Sequence, residues 1–109
     1  MSEIKEIADK ETIETVFKAK KAMIFKNSKL CPVSVAARKK FFDFAEICEE
    51  KIEFYIVDVI ENRNLSREIE NRTGVVHQSP QVIFLQDGKA KWNKSHYDIN
   101  HDSLRESIN

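Results

Sequence analysis

From Ile52 to Val59 the chain is apolar at nearly every position, with Phe54, Tyr55, Ile56 and Val57 in unbroken series and only Glu53 and Asp58 charged. A strand with one wet face alternates between apolar and polar residues. A run without alternation needs cover on both faces, as a strand inside a mostly parallel sheet has. It is also far short of the roughly 18 apolar residues that cross a bilayer as a helix. The feature therefore calls for helices on both sides of a sheet, an α/β architecture.

The flanking sequence supplies those helices. Ile13, Val16 and Phe17 recur at helical spacing behind Asp9 and Thr12, either of which can cap a first helix near residues 10–20. Ala22 to Phe25 reads as a short buried strand, and Lys26 to Leu30 as a loop. Ala37, Phe41, Phe44, Ala45 and Cys48 fall on one stripe of a long helix from about Pro32 to Glu50. Asn62 or Asn64 can cap a third helix that carries Leu65 and Ile69 and stops at Gly74, where a left-handed residue is least strained. Val82 to Leu85 predicts a strand, Asp87-Gly88 a tight turn, and Lys89 to Trp92 an antiparallel return. A short helix with Leu104 and Ile108 inward closes the chain. The resulting order, α-β-α-β-α-β-β-α, is that of a thioredoxin-like domain with a mixed four-stranded sheet flanked by helices. Fold alone does not settle function.

With 109 residues there is room for a single domain, 1–109. Eighteen basic and eighteen acidic residues cancel, so no broad positive field selects nucleic acid or anionic lipid. Small or protein-borne substrates are the expected partners. Charges interrupt Met1 to Lys21 every two or three residues, unlike a signal peptide, so a cytoplasmic location is expected, with no membrane association. Two cysteines in that setting do not make a disulfide framework and must be judged one by one.

Cys31-Pro32-Val33-Ser34 falls between the first predicted strand and the long helix. Proline favours the first helical position, so Cys31 is expected at the N-cap, its sulfur facing the amides of Val33 and Ser34. Those amides, the helix dipole and the nearby Lys26 and Lys29 would favour the thiolate, the reactive form. The alternative is a buried cysteine that happens to precede a helix. Cys48 lies 17 residues on in the same helix, about 25 Å away, too far for a bridge, and continues the core stripe. Ser34 stands where a dithiol enzyme places its second cysteine, so the chemistry is monothiol: an external thiol must release any mixed disulfide.

His77-Gln78-Ser79-Pro80 precedes the strand from Gln81, where a proline would interrupt a ladder unless it ended a loop. A cis Ser79–Pro80 bond is the expected reason. In thioredoxin-like folds this loop packs against the cysteine, and the residue before the proline pairs with substrate through its backbone. Trp92, His96, Tyr97 and Asp98 cluster after the last strand, either lining a substrate groove or edging the core. His77, His96 and His101 lack zinc-site spacing, and no metal is expected. There is no glycine-rich phosphate loop.

Three separated segments resemble the YtxJ-like monothiol bacilliredoxins: Asn27 to Ser34, Val76 to Gln81, and Lys91-Trp92 with Ser95 to Ile99. The resemblance covers nearly the whole chain. It implies a thioredoxin-like protein of low-GC Gram-positive bacteria that removes bacillithiol from mixed disulfides on other proteins. It further implies Cys31 as nucleophile and Ser79 and Pro80 in a substrate-facing loop that His77 and Gln78 lead into, with Trp92 and His96 at matching family positions. Asn27-Ser28-Lys29-Leu30 departs from the family's His-Ser-Thr lead.

The expected reaction is attack of Cys31 on the small-thiol sulfur of a protein mixed disulfide, with Ser34 Oγ and the helix start stabilising the thiolate when a second small thiol resets the enzyme. No bound cofactor is expected; bacillithiol is the co-substrate, bacillithiolated proteins and small-thiol disulfides are the partners, and a separate disulfide reductase completes the cycle. A monomer suffices. Two rivals stand: an iron–sulfur carrier of the monothiol glutaredoxin type, against which Pro32 argues because those proteins have Gly there, and a non-catalytic interaction module.

Overall fold

The computed structural model describes residues 3–108. In chain order the elements are β1 (Ile4–Glu6), α1 (Lys10–Lys18), β2 (Lys21–Asn27), α2 (Pro32–Ile47), β3 (Glu53–Asp58), α3 (Arg63–Thr73), β4 (Gln81–Gln86), β5 (Lys89–Ser95), a 3₁₀ turn at His96–Asp98, and α4 (His101–Ser107). The strands form one sheet in the order β1-β3-β2-β4-β5. β1 and β2 flank β3 in parallel; β4 runs antiparallel to β2 and β5 antiparallel to β4.

The sheet therefore has five strands, not four. The additional strand, β1, pairs Ile4, Lys5 and Glu6 with Phe54, Tyr55 and Ile56. It is three residues long and two of them are charged, so it carries no apolar alternation to read. Its Lys5 side chain pairs with Glu53 at 2.7 Å on the exposed surface.

Alternation along β2 separates two cores. Ala22 and Ile24 face α1 and α3, joining Ile13, Val16, Tyr55, Val57, Ile69, Ile83 and Leu85. Met23 and Phe25 face α2 and α4, joining Phe41, Phe44, Phe54, Val82, Phe84 and Leu104. Phe41 stacks on Phe25 with centroids 5.2 Å apart and meets Phe54 edge-on at 5.8 Å. β3 is covered on both sides, as its unbroken apolar run requires.

The caps follow local chemistry. Asp9 caps α1, its carboxylate accepting the Thr12 N–H at 2.8 Å. α2 ends at Ile47, three residues before the expected Glu50, because Cys48 turns to extended backbone as C-cap. Gly74 closes α3 at φ 73°, the left-handed conformation. Gly88 at φ 77° turns the β4–β5 hairpin with Asp87; a Cβ there would meet the Phe17 carbonyl oxygen at 2.8 Å.

Candidate active site

Parallel pairing of β2 with β3 and antiparallel pairing of β2 with β4 bring four connections to one end of the sheet. These are the segment from Ser28 to Cys31, the turn after Asp58, the loop before Gln81 and the exit of β5. Backbone bonds tie them together: Val59 N–H donates to Asn27 O at 3.0 Å, and His96 N–H donates to Pro80 O at 3.0 Å. Asp58 Oδ1 accepts the amides of Ile60 and Glu61 and fixes the turn.

Cys31 is the N-cap of α2, half-buried and free, with Pro32 at the first helical position. Its carbonyl starts the helix by accepting the Val35 N–H at 3.1 Å, and its own N–H donates to Ser28 O. Cys31 stands at the N-cap as the sequence leads one to expect, and its sulfur makes no capping hydrogen bond there. The dipole of a sixteen-residue helix still points at it.

Ser34 is fully buried, but its hydroxyl is engaged elsewhere: it accepts the Ser28 N–H at 2.9 Å and donates to Asn27 Oδ1 at 3.2 Å. It shapes the segment leading into Cys31 rather than hydrogen-bonding the sulfur. Asn27, which sequence reading assigned to a loop, is the last residue of β2 and buried. A buried polar residue so near a candidate nucleophile is the signal that would have singled it out.

Neither lysine points its charge at the thiol. Lys29 is exposed and its ammonium lies 3.3 Å from Glu61 and 3.8 Å from Asp58, which raise its pKa. Lys26 belongs to β2, not to a loop, and strand alternation sends it to the opposite face from α2. There it is fully buried, its Nζ 3.2 Å from Ser66 O and 3.1 Å from His77 Nδ1. Burial pushes its pKa down to about 8, against the opposing pull of Glu70.

The Ser79–Pro80 peptide bond is cis. Pro80 is buried, and the Ser79 hydroxyl is buried without a partner. The loop is pinned from both sides: Glu70 Oε2 accepts the His77 N–H at 2.6 Å, Gln81 Oε1 accepts the Gln78 N–H, and Gln81 Nε2 donates to Val76 O. The His77 ring turns towards Lys26; burial and then the Lys26 charge lower its pKa, keeping it neutral so that Nδ1 accepts. His96 starts the 3₁₀ turn at φ 53°, exposed, its backbone on Pro80. Trp92 stands mid-strand opposite Phe84 and packs against the α2 core, so it edges that core while His96 reaches the cis-proline loop. Tyr97 is 80% exposed.

Cys48 is buried at the far end of α2, its thiol directed to Glu50 O at 3.9 Å. An alkylating reagent on the native chain is expected to label one thiol per molecule, at Cys31, and two in denaturant. Peptide mapping of the native product checks this, and label at Cys48 would contradict the burial.

The fold and this end of the sheet define a thioredoxin-fold protein with a thiol redox role. A solved structure of a thioredoxin-fold protein, described provisionally as an oxidoreductase, is similar over 97% of this chain and 94% of that one, at 31% identity and a TM-score of 0.89. Thioredoxin from Malassezia sympodialis matches at TM-score 0.81 and 17% identity over 99% of this chain and 90% of its own. Thioredoxin from Trypanosoma brucei brucei matches at 0.80 and 14% over 97% and 88%. Within the fold the assignment narrows further: the family model described as monothiol bacilliredoxin BrxC matches residues 2–104, and the chain belongs to that family.

Proposed function

We propose that the chain is a monothiol thiol–disulfide oxidoreductase that removes bacillithiol, or a similar small thiol, from protein mixed disulfides. The observation that carries the reading is a single accessible thiol at a helix N-terminus, Cys31, with a hydroxyl and not a second thiol at Ser34. The Cys31 thiolate attacks the small-thiol sulfur; the S–S bond breaks and its electron pair leaves on the protein sulfur, which takes up a proton. A new disulfide joins Cys31 to the small thiol. A second small thiolate attacks that sulfur, the electron pair returns to Cys31, and a symmetrical disulfide departs for a separate reductase.

Protein substrates suit the surroundings. Leu30 is 83% and Val76 70% exposed, and Ile60 about half, each in a connection at the Cys31 end of the sheet. Exposed apolar residues grouped at one end are what an incoming polypeptide covers. The free backbone of Ser79 beside Pro80 offers it a strand-like edge. The reaction belongs in a reducing cytoplasm, where the small thiol is abundant, and it needs no bound cofactor and no second subunit.

The test is intact mass after incubation with a bacillithiolated protein. One small-thiol adduct on this chain, with loss of the modification from the substrate and restoration of the free chain by added bacillithiol, is the expected result. A substrate that keeps its modification would defeat the reading. So would a brown, cluster-bearing chain after anaerobic purification with no transfer activity.

A further inference from the structure

One residue holds both ends of the loop that carries Ser79. Lys26 pairs through its backbone with Gln81, the residue after the cis-proline, across the β2–β4 ladder. Its ammonium, turned to the α3 face, reaches His77 Nδ1 at 3.1 Å, two residues before Ser79, and Ser66 O of α3 at 3.2 Å. Loop entry, loop exit and helix are thus fastened to one residue near the end of β2, five positions before Cys31. Gln81 and Glu70 hold the loop's backbone, at Gln78, Val76 and the His77 amide. The His77 ring itself is met by Lys26 and, at 3.4 Å, by the Ser66 hydroxyl.

A lysine in this place weakens the fold. Ala22 and Ile24 precede it on the same face of β2, inside the core under α1 and α3, with Leu85 and Ile83 beside them. An apolar residue would continue that core. Lys26 is instead fully buried, neither of its hydrogen-bond partners is a carboxylate, and burial disfavours its charged form. Glu70, the acid that acts on it, gives an oxygen to the His77 amide at 2.6 Å. A buried charge that weakens the fold and fastens a loop beside the thiol is placed for function.

We propose that Lys26 is a positioning residue for protein substrates, holding Ser79 through His77 in the place where an incoming polypeptide pairs with its backbone. The inference rests on the proposed thiol exchange and concerns recognition of the protein half of the mixed disulfide. Lys26 lies on the face of the sheet away from α2, so it acts on the loop and not on the Cys31 sulfur. Its effect therefore depends on the substrate. A polypeptide engages the loop and Cys31 together, whereas a small disulfide needs the thiol alone.

The test measures steady-state removal of bacillithiol from a bacillithiolated protein, with bacillithiol as the resetting thiol, beside the rate at which Cys31 takes up a half-disulfide from bis(2-hydroxyethyl) disulfide. In both, the Cys31 thiolate attacks one sulfur and the other leaves as thiolate with the electron pair. For Lys26→Met the KM for the protein is expected to rise about tenfold, the loss of one charge-assisted hydrogen bond, while kcat and the small-disulfide rate stay within about twofold. A chain that is merely damaged would lose all three together. His77→Ala, at an exposed residue, is expected to give the same split, and the double variant to be no worse than the poorer single one, because both remove one tether. An unchanged KM, an equal loss on both substrates, or losses that multiply in the double variant overturn the positioning role while thiol exchange stands. A native chain that reacts with neither substrate overturns the exchange reading itself, and this inference with it.

Discussion

Cys31→Ala is expected to leave a folded chain with no uptake of a small thiol from any disulfide, a complete loss rather than a graded one. The thiolate is the only nucleophile the exchange uses, and the other sulfur, Cys48, is buried a full helix away. Stability should hardly move, because the Cys31 side chain is half-buried and makes no capping bond. Ser34→Cys is the informative companion. Positions 31 and 34 are one turn apart at the helix start, so the new thiol can meet the adduct on Cys31 from within. The small thiol then leaves as a thiolate, and an internal disulfide replaces the adduct. Intact mass reads this as loss of two hydrogens in place of a gain of one small thiol. The substitution gives up the hydroxyl's bonds to Ser28 and Asn27, at a cost of about 1–2 kcal/mol. Retention of uptake in Cys31→Ala would remove Cys31 from the mechanism. A persistent adduct in Ser34→Cys would show that the position of Ser34 is not what makes the chemistry monothiol.

The elements legible in the sequence were those whose burial pattern repeats. The β3 run, the α2 stripe and the Gly74 stop each carry several residues of one signal, and each stands close to where that signal put it. What escaped was short or polar. β1 has three residues and is held by pairing to β3, a long-range contact with no local trace. Lys26 and Asn27 extend β2 by two residues, yet a lysine followed by an asparagine reads as a loop. Only the sheet context shows that one is buried against α3 and the loop before β4 and the other against the start of α2. For the site, the cysteine, its proline and the cis-proline loop were readable from residue type and position. The partners of Ser34, Lys29 and His77 were not, because hydrogen-bond partners 7, 32 and 51 residues away are settled by topology and not by spacing. Lys29 illustrates the limit: sequence proximity to Cys31 suggested one role, while Glu61 and Asp58 give it another.

Stability should rise with pH between about 8 and 10.5, and Lys26 is the group responsible. Its folded pKa is about 8, below the ordinary lysine value of 10.5, because burial penalises the charged form. Below pH 8 the ammonium is charged in both states and the folded chain bears the full burial penalty. Between the two values the folded chain has lost the proton and the unfolded chain still binds it, so unfolding takes up protons and stability climbs with pH. Above 10.5 the contribution levels off. The window corresponds to on the order of 3 kcal/mol. Lys26→Met removes the titration. At pH 7 the variant is expected to be more stable than the native chain by about 1–2 kcal/mol, the rest offset by the donors lost to Ser66 O and His77 Nδ1. The difference should shrink and reverse as pH approaches 10. Lys5 and Lys29, whose carboxylate partners raise their pKa values, act in the opposite direction at higher pH but are common to both proteins and drop out of the difference. Urea unfolding of the two chains at several pH values from 7 to 10 reads it. A stability difference that stays constant across that range would mean that Lys26 keeps its proton in the folded state.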